Sequence, residues 1–354
     1  MKVLALNSSP RAGAESRTGM LLEPLLAGLA AGGAEVQAHD LKDLKVRHCL
    51  GCFTCWTKTP GQCVIPDDMT KALFPAWSQA DLVVYGTPLY HFTVNARLKA
   101  FIERTLPFVE PFMEREGGVT RHPVRFRPPQ VVLVSPAGFP HASVFDQLRD
   151  YARFLFGPGL VAELYRPGAE SLDTPALAAV KADIADALRR AGEELAAGGR
   201  VAEETLARIT QPAGDEDALA GTANLFWRAC REAGATPREL AREGLGIRPR
   251  DLEEFLLLMS QGLNPLKAGG LRAVVQFEFS GQAEGVCHLA IDQGRAAGGL
   301  GPAPEPDLTV RAPFELWLDI QEGRADGQEA FISGRARAEG DLGLLLRLPQ
   351  VFGA

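Results

Sequence analysis

The sequence predicts an α/β protein in two parts: a doubly wound parallel sheet, then a helical connector and a smaller α+β domain. Three observations lead there. Short apolar runs alternate with helical apolar periodicity five times before residue 200. Residues from about 200 to 265 are Ala-, Glu- and Arg-rich with helical character. After residue 270 the apolar period drops to two, as in half-buried strands. The expected boundaries are 1–200, 201–248 and 249–354.

Taken in order, residues 2–7 are apolar enough for a strand buried on both faces. Leu21, Leu22, Leu25, Leu26 and Leu29 recur at helical spacing, with Pro24 expected to bend that helix or mark its first turns. Val36 to His39 reads as a second strand. Asp67 and Asp68 are expected to cap a helix over about 68–79. Asp81 to Gly86 is the third strand, followed by a helix with Val94, Leu98, Phe101 and Ile102 on one face. Residues 130–135 make the fourth. Its helix carries Val144, Phe145, Leu148, Tyr151 and Leu155 and stops at Gly157. Leu160 to Tyr165 is the fifth strand, before a helix over about 175–197. Right-handed crossovers make such a sheet parallel. The order 2-1-3-4-5 is the natural choice, with ligands at the carboxyl ends of the strands.

In the last domain Val275, Phe277 and Phe279 alternate with Gln276 and Glu278. Gly281 and Gly285 bracket a turn into a second alternating run, Val286 to Ile291. Asp307 to Val310 is a third strand, Phe314 to Gln321 a helix and Gly334 to Glu339 a strand. A terminal helix carries Leu342, Leu345, Leu346 and Leu348. The strands read as antiparallel.

Hydrophobic residues are 46% of the chain, enough for a sizeable core. A net charge of −7 argues against a nucleic-acid partner. No apolar run reaches the length of a membrane span. The apolar start, Met1 to Leu6, is too short for a signal peptide, so a cytoplasmic protein is expected.

Two features carry chemistry. The first is a set of strand-end loops. Strand one ends in Asn7-Ser8-Ser9-Pro10-Arg11, with Ser16-Arg17-Thr18 opening the next helix. Hydroxyls and N–H groups at a helix N-terminus form an anion site. No G-x-G-x-x-G follows the strand, so the loop suits a mononucleotide rather than a dinucleotide. Strand three ends in Thr87-Pro88-Leu89-Tyr90-His91-Phe92 and strand four in Ser135-Pro136-Ala137-Gly138-Phe139. Their amides can bond the polar edge of a flat ring, and Tyr90 or Phe92 can stack on it. Taken singly, each loop also reads as an ordinary capped turn, and each aromatic as core; convergence on one sheet edge favours the ligand.

The second is Cys49, Cys52, Cys55 and Cys63, spaced C-x2-C-x2-C-x7-C. In a reducing compartment such a cluster points to metal or redox chemistry. The x2 steps put successive sulfurs on one small surface, able to wrap an iron–sulfur cubane. Zinc, a redox-active Cys52/Cys55 pair and a metal-free structural loop are the alternatives.

Ser9-Pro10-Arg11, Gly86 to Tyr90 and Leu98-Lys99-Ala100-Phe101-Ile102-Glu103-Arg104 resemble the NADPH-dependent FMN reductase branch of the flavodoxin-like superfamily. The resemblance covers roughly residues 1–200. It implies FMN held by Ser9, Arg11, Ser16, Arg17 and Thr18, by Thr87 to Phe92, and by Ser135, Ala137 and Gly138. Ala14-Glu15-Ser16 departs from the Gly-Asn pair frequent in that family. The cysteine segment and the following Val64 to Met69 resemble the iron–sulfur flavoproteins. That likeness implies a [4Fe–4S] cluster on the four cysteines beside FMN. It also implies a homo-oligomer, with the cluster of one subunit facing the flavin of another.

Leu271 to Gly281, Cys287 to Gly294, the helix with Trp317, and Ala330 to Gly334 running into Gly340-Asp341 resemble the sterol-carrier-protein type 2 fold. The implication is a five-stranded sheet with helices and an apolar tunnel for a lipid-like ligand. Phe277, Phe279, Leu289, Ile291 and Phe331 line either core or tunnel, with core the safer assignment.

Arg121, His122, Arg125 and Arg127 form a basic stretch that reads first as a solvated loop and second as a dock for NADPH or an acidic ferredoxin. His91 is a loop histidine or a proton donor. The expected function is an FMN oxidoreductase taking electrons from NAD(P)H or ferredoxin to a small acceptor, which the last domain narrows toward an apolar one. A flavin-only quinone or nitro reductase and a ligand-binding redox sensor are the competing readings.

Overall fold

The computed structural model describes residues 1–244 and 246–352. Two compact units divide them: residues 1–170 with 182–212, and residues 171–181 with those from Ala213 on.

The first unit is built on five parallel strands: β1 (Lys2–Asn7), β2 (Glu35–Asp40), β3 (Leu82–Gly86), β4 (Gln130–Pro136) and β5 (Leu160–Arg166). Their order is β2-β1-β3-β4-β5, all pairs parallel. This is the flavodoxin-like order expected. β3 is buried along its whole length, as an interior parallel strand covered on both faces must be. β2, on the edge, has no buried residue: Val36 and His39 are half-buried and the other four are exposed.

Helices α1 (Arg17–Ala31), α2 (Phe74–Gln79), α3 (Ala96–Glu103) and α4 (Asp146–Phe156) cross between strands, and α5 (Ala178–Gly198) follows the last one. Pro24 lies inside α1. One π-helical turn, Met69–Leu73, leads into α2. The capping expected of Asp67 and Asp68 differs in detail. The Asp68 side chain makes no cap and instead accepts the Lys45 N–H at 2.7 Å. Asp67 accepts the Thr70 N–H at 3.3 Å, but its main partner lies elsewhere, as shown below.

α1 and α5 touch backbone to backbone. A Cβ on Gly28 would lie 1.9 Å from the Arg189 carbonyl oxygen, and one on Gly192 would lie 2.2 Å from that of Leu25. Only glycine permits this approach.

The second unit holds a five-stranded sheet: β6 (Ala273–Ser280), β7 (Gly285–Asp292), β8 (Arg295–Leu300), β9 (Leu308–Pro313) and β10 (Arg337–Gly340), ordered β8-β7-β6-β9-β10. The sheet is mixed, which corrects the all-antiparallel reading: β6 and β9 run parallel. A helix-free excursion through the β7–β8 hairpin separates them in sequence and brings the chain back in the same direction. β8 was not foreseen, because Arg-Ala-Ala-Gly-Gly-Leu has poor strand propensity. It pairs with β7 from Arg295 to Leu300 all the same. Phe255, Phe277, Phe279, Phe314 and Trp317 pack against one another in the core, with Leu289 and Ile291 fully buried among them and Phe331 packed at the margin. No described helix is long and apolar enough to cross a membrane.

The glycine contact predicts a stability effect. Gly192→Ala should force α1 and α5 apart and cost about 1–3 kcal/mol by overpacking. The measurement is the denaturant midpoint; a midpoint equal to that of the wild type would contradict the contact.

Candidate functional site

Three loops converge at the carboxyl edge of the first sheet. β1 runs out into Ser8, whose N–H and Oγ–H both donate to the Gly86 carbonyl, at 2.8 and 2.9 Å. Asn7 Oδ1 accepts the Ser9 N–H at 3.0 Å, and Ser9 Oγ accepts that of Arg11 at 3.2 Å. These bonds curl the loop so that it enters α1 at Ser16, whose hydroxyl caps the helix by accepting the Gly19 N–H at 2.9 Å. A Cβ on Gly86 would lie 2.5 Å from Leu22 and 3.0 Å from Thr18, so glycine at the end of β3 lets the first turn of α1 press onto the sheet.

Thr18 is 1% exposed and Ser135, near the end of β4, is 0% exposed. Both hydroxyl oxygens are buried without a hydrogen-bond partner. Buried polar groups are nearly always paired, so two orphans at one sheet edge suit a bound polar ligand. Arg11 and Arg17 both reach Glu170, at 2.9 and 3.1 Å.

The second loop is fixed from beneath. Thr87 N–H donates to the Val134 carbonyl and Leu89 N–H to that of Pro136. Thr87 Oγ1 accepts the Asn95 N–H at 3.1 Å, and the Asn95 side chain donates to the Ser8 carbonyl at 2.7 Å while capping α3 through Leu98. Asn95 thus ties two loops and one helix together. It was not among the residues expected from sequence, although its place before an apolar helix is an N-cap signal. Between Tyr90 and Thr93, which bridge each other, His91 and Phe92 have φ of 47° and 63°. Left-handed backbone at two non-glycine residues is strained and gathers at functional sites. Pro88 and Leu89 are half-buried beneath, whereas Tyr90, His91 and Phe92 are exposed. Phe92 stacks with Phe139 of the third loop at 6.4 Å between ring centres. In that loop Ala137 is buried, its N–H on the Arg166 carbonyl, and Gly138 is exposed.

The cysteine segment lies between β2 and α2. Cys49, Cys52, Cys55 and Cys63 all line one cleft. Gly51 and Phe53 are left-handed, with φ of 60° and 51°, and turn the chain sharply between successive cysteines. The Cys55 thiol is pushed up by burial first, then by Cys63, Cys49 and Cys52. A hydrogen bond from the Thr54 hydroxyl lowers that of Cys52. Among the described residues no three His, Cys, Asp or Glu side chains are drawn together closely enough to hold a metal ion. The donors therefore share a cleft without being closed on a centre.

Arg104, at the end of α3, locks the two ends of this segment. It donates to both Asp67 carboxylate oxygens at 2.9 and 3.0 Å, to the Arg47 carbonyl at 2.9 Å and to Thr70 Oγ1 at 3.1 Å. Asp67 in turn accepts the Arg47 N–H at 2.9 Å. The two side chains are 1% and 0% exposed. Burial opposes the Asp67 charge, but Arg104, Arg47 and Thr70 outweigh it and hold the carboxyl below its usual pKa. Arg104 stood in the motif read from sequence, but its role did not.

Of the remaining candidates, Arg125 pairs with Glu110 at 2.6 Å, and His122 Nδ1 meets the Phe112 carbonyl at 2.8 Å. Cys287 is buried and pushed up to about 12, which makes it inert.

Two family models match separate parts of this chain. Residues 1–164 match the NADPH-dependent FMN reductase family, and residues 252–353 match the SCP-2 sterol transfer family. The chain is similar to an iron-sulfur flavoprotein of Archaeoglobus fulgidus, 34% identical over 108 residues, which is 30% of this chain and 47% of that one. It is also similar to one of Methanocaldococcus jannaschii, 35% identical over 107 residues, 30% of this chain and 53% of that one. The chain spans about half the length of the curated relatives it matches. A solved NAD(P)H:quinone oxidoreductase from Methanothermobacter marburgensis has a TM-score of 0.42 at 18% identity, over 55% of this chain and 96% of that one. At that score the likeness adds nothing to the strand order already described.

The buried pair makes a pH prediction. Asp67 has a folded pKa below its unfolded value of about 3.9. Its contribution to stability is therefore complete above that value and is lost as pH falls through the folded pKa. Asp67→Asn should destabilise the protein by about 3–5 kcal/mol at pH 7, since it strands a buried cation. The gap to the wild type, read from denaturant midpoints, should narrow only below about pH 4. A gap already closing at pH 6 would contradict the assignment.

Proposed function

We propose that the first unit is an FMN-dependent oxidoreductase and that its cysteine segment carries a [4Fe–4S] cluster. The observation that carries the flavin reading is the pair of orphaned buried hydroxyls, Thr18 and Ser135, at the edge where three loops converge. Ser9, Arg11, Ser16, Arg17 and Thr18 would hold the phosphate at the start of α1, where N–H groups and the helix dipole favour an anion. Glu170 now pairs with Arg11 and Arg17. The Arg11–Glu170 pair is exposed, and such pairs contribute about 0–1 kcal/mol, so a phosphate dianion can displace Glu170 from it. Thr87, Pro88, Leu89, Tyr90, His91 and Phe92 would face the ring system, with Ser135, Ala137 and Gly138 opposite. The rigid bonds from Asn95 hold that loop in position before any ligand arrives.

Bound FMN supplies acceptance of electrons in pairs and their release singly. The electrons would come from NAD(P)H or ferredoxin and leave for a small acceptor. Four thiols on one cleft are the donor set that an iron–sulfur cluster takes. Among the described residues the cysteines are not gathered on one centre, which favours a second reading: a flavin-only quinone or nitro reductase. The Azospirillum brasilense relative, named an FMN-dependent NADH:quinone oxidoreductase, is 33% identical over 126 residues. In the second unit Trp317 Nε1 is buried without a partner, although indole N–H groups usually find one. A lipid-like ligand with a hydrogen-bond acceptor would satisfy it and could serve as the apolar acceptor. We include in the proposal that copies of the chain associate, bringing one subunit's cluster to another's flavin.

Two measurements test this. Anaerobically purified protein should show one FMN per chain with iron and sulfide in equal amounts. Flavin without iron after reconstitution would leave the flavin-only reductase; absence of flavin would refute the main reading. Thr18→Val should leave the ligand-free chain as stable as before, since the hydroxyl has no partner there. It should weaken FMN by roughly tenfold to a hundredfold, the worth of a hydrogen bond to a charged group. Fluorescence titration reads the affinity, and unchanged binding would remove Thr18 from the site.

A further inference from the structure

Arg104 has one donor that its clamp does not use. Both Nη groups are engaged, by Asp67, Arg47 and Thr70. The Nε–H is buried with no hydrogen-bond partner. The side chain also lines the cleft of the four cysteines, where Glu103 is the other charged wall and the rest are apolar. Burial opposes the guanidinium charge, yet Asp67 and Cys63 outweigh it and hold the pKa above the usual arginine value. A permanent cation with a spare donor therefore stands beside the sulfur of Cys63.

We propose that Arg104 tunes the cysteine site: held rigid by Asp67, it directs its Nε–H at the Cys63 sulfur and raises the reduction potential of the cluster bound there. This rests on the cluster reading above. Hydrogen bonds to cluster sulfurs and nearby positive charge both favour the form with one more electron. A low local dielectric strengthens the effect. Asp67 cancels part of the charge, but its oxygens are taken up by the Nη groups and by backbone N–H donors, which leaves the Nε side to sulfur. The step is the gain of one electron, supplied by dithionite in the test. No bond forms or breaks, and no proton moves, because the guanidinium already carries all its protons. Arg104 is thus a positioning residue, acting on the cluster through Cys63.

The test compares the full-length wild type with Arg104→Lys and with the double variant Asp67→Asn/Arg104→Gln. The double variant replaces the ion pair by neutral amides, so no buried charge is stranded. Each protein is reconstituted anaerobically with iron and sulfide. Iron and sulfide are counted, bound FMN is read from its absorption as a sign of a folded first unit, and the cluster midpoint is titrated by electron paramagnetic resonance. The expected result is full flavin and iron in the wild type and a lower midpoint in the double variant. The Lys variant, which keeps the charge but loses the Nε donor, should lie between them. Equal midpoints in iron-loaded wild type and variants would overturn the role of Arg104 while leaving the cluster reading intact. A wild type that keeps flavin but takes up no iron would overturn both. Should the double variant lose its flavin or its iron, the Lys variant decides alone: a lowered midpoint supports the role and an unmoved one overturns it.

Discussion

The ion pair of Arg104 and Asp67 is the constraint on which the rest of the first unit's chemistry depends. Nineteen residues of irregular chain between Arg47 and Asp67 would otherwise be free to wander. Arg104 binds the carbonyl of one end and the carboxylate of the other, and Asp67 binds the first end's N–H. The segment is closed at its base, and the base is tied to α3 and to the π-helical turn through Thr70. With the ends fixed, left-handed turns at Gly51 and Phe53 suffice to direct four cysteines to one cleft. α3 in turn is started by Asn95, which binds the Ser8 carbonyl on the loop after β1. A single short helix therefore connects the two candidate cofactor sites, capped at one by Asn95 and anchored at the other by Arg104.

Much of this was legible in the sequence, for identifiable reasons. β1, β3 and β4 are buried on both faces, and unbroken apolar runs between turn residues carry that signal at short range. Crossover handedness then leaves few strand orders, of which 2-1-3-4-5 is the natural choice, without side-chain detail. The cysteine spacing was equally plain. The clamp was not, because residues 37 positions apart give no periodic signal. Asp67 precedes a helix, and a carboxylate in that position reads as a cap before it reads as half of a buried pair. Arg104 ends an amphipathic helix, where a basic residue has a sufficient local explanation in the helix dipole. Both local explanations were adequate, and the tertiary one was stronger.

The second unit fails to be legible in a different way. β8 is Arg-Ala-Ala-Gly-Gly-Leu, and its glycines are there for their neighbours. A Cβ on Gly298 would meet Leu256 at 2.7 Å, and one on Gly299 would meet the His288 ring at 2.6 Å. The strand is kept thin so that the Leu252–Gly262 helix can lie against it. Packing of this kind erases the propensity by which a strand is recognised. The parallel pairing of β6 and β9 was hidden for a related reason: alternation shows which face of a strand is buried, not which way its neighbour runs.

The buried pair poses a question that stability alone does not answer. Removing two charges from water costs several kcal/mol for each, and apolar replacements of similar volume are often as stable or more so. A clamp of leucine and phenylalanine could close the segment, although it could not bond the Arg47 carbonyl and N–H, which would then lose their protein partners. Hydrogen bonding thus accounts for the polarity of the clamp but not for its charge; a neutral amide pair would meet the same backbone groups. What only the guanidinium adds is a positive charge at the wall of a cleft lined by four cysteines. Thiolates gathered on a common centre repel one another, and the cleft's other charged side chain, Glu103, is an anion. In the proposed cluster site the charge of Arg104 would offset that repulsion, from a position fixed by four hydrogen bonds.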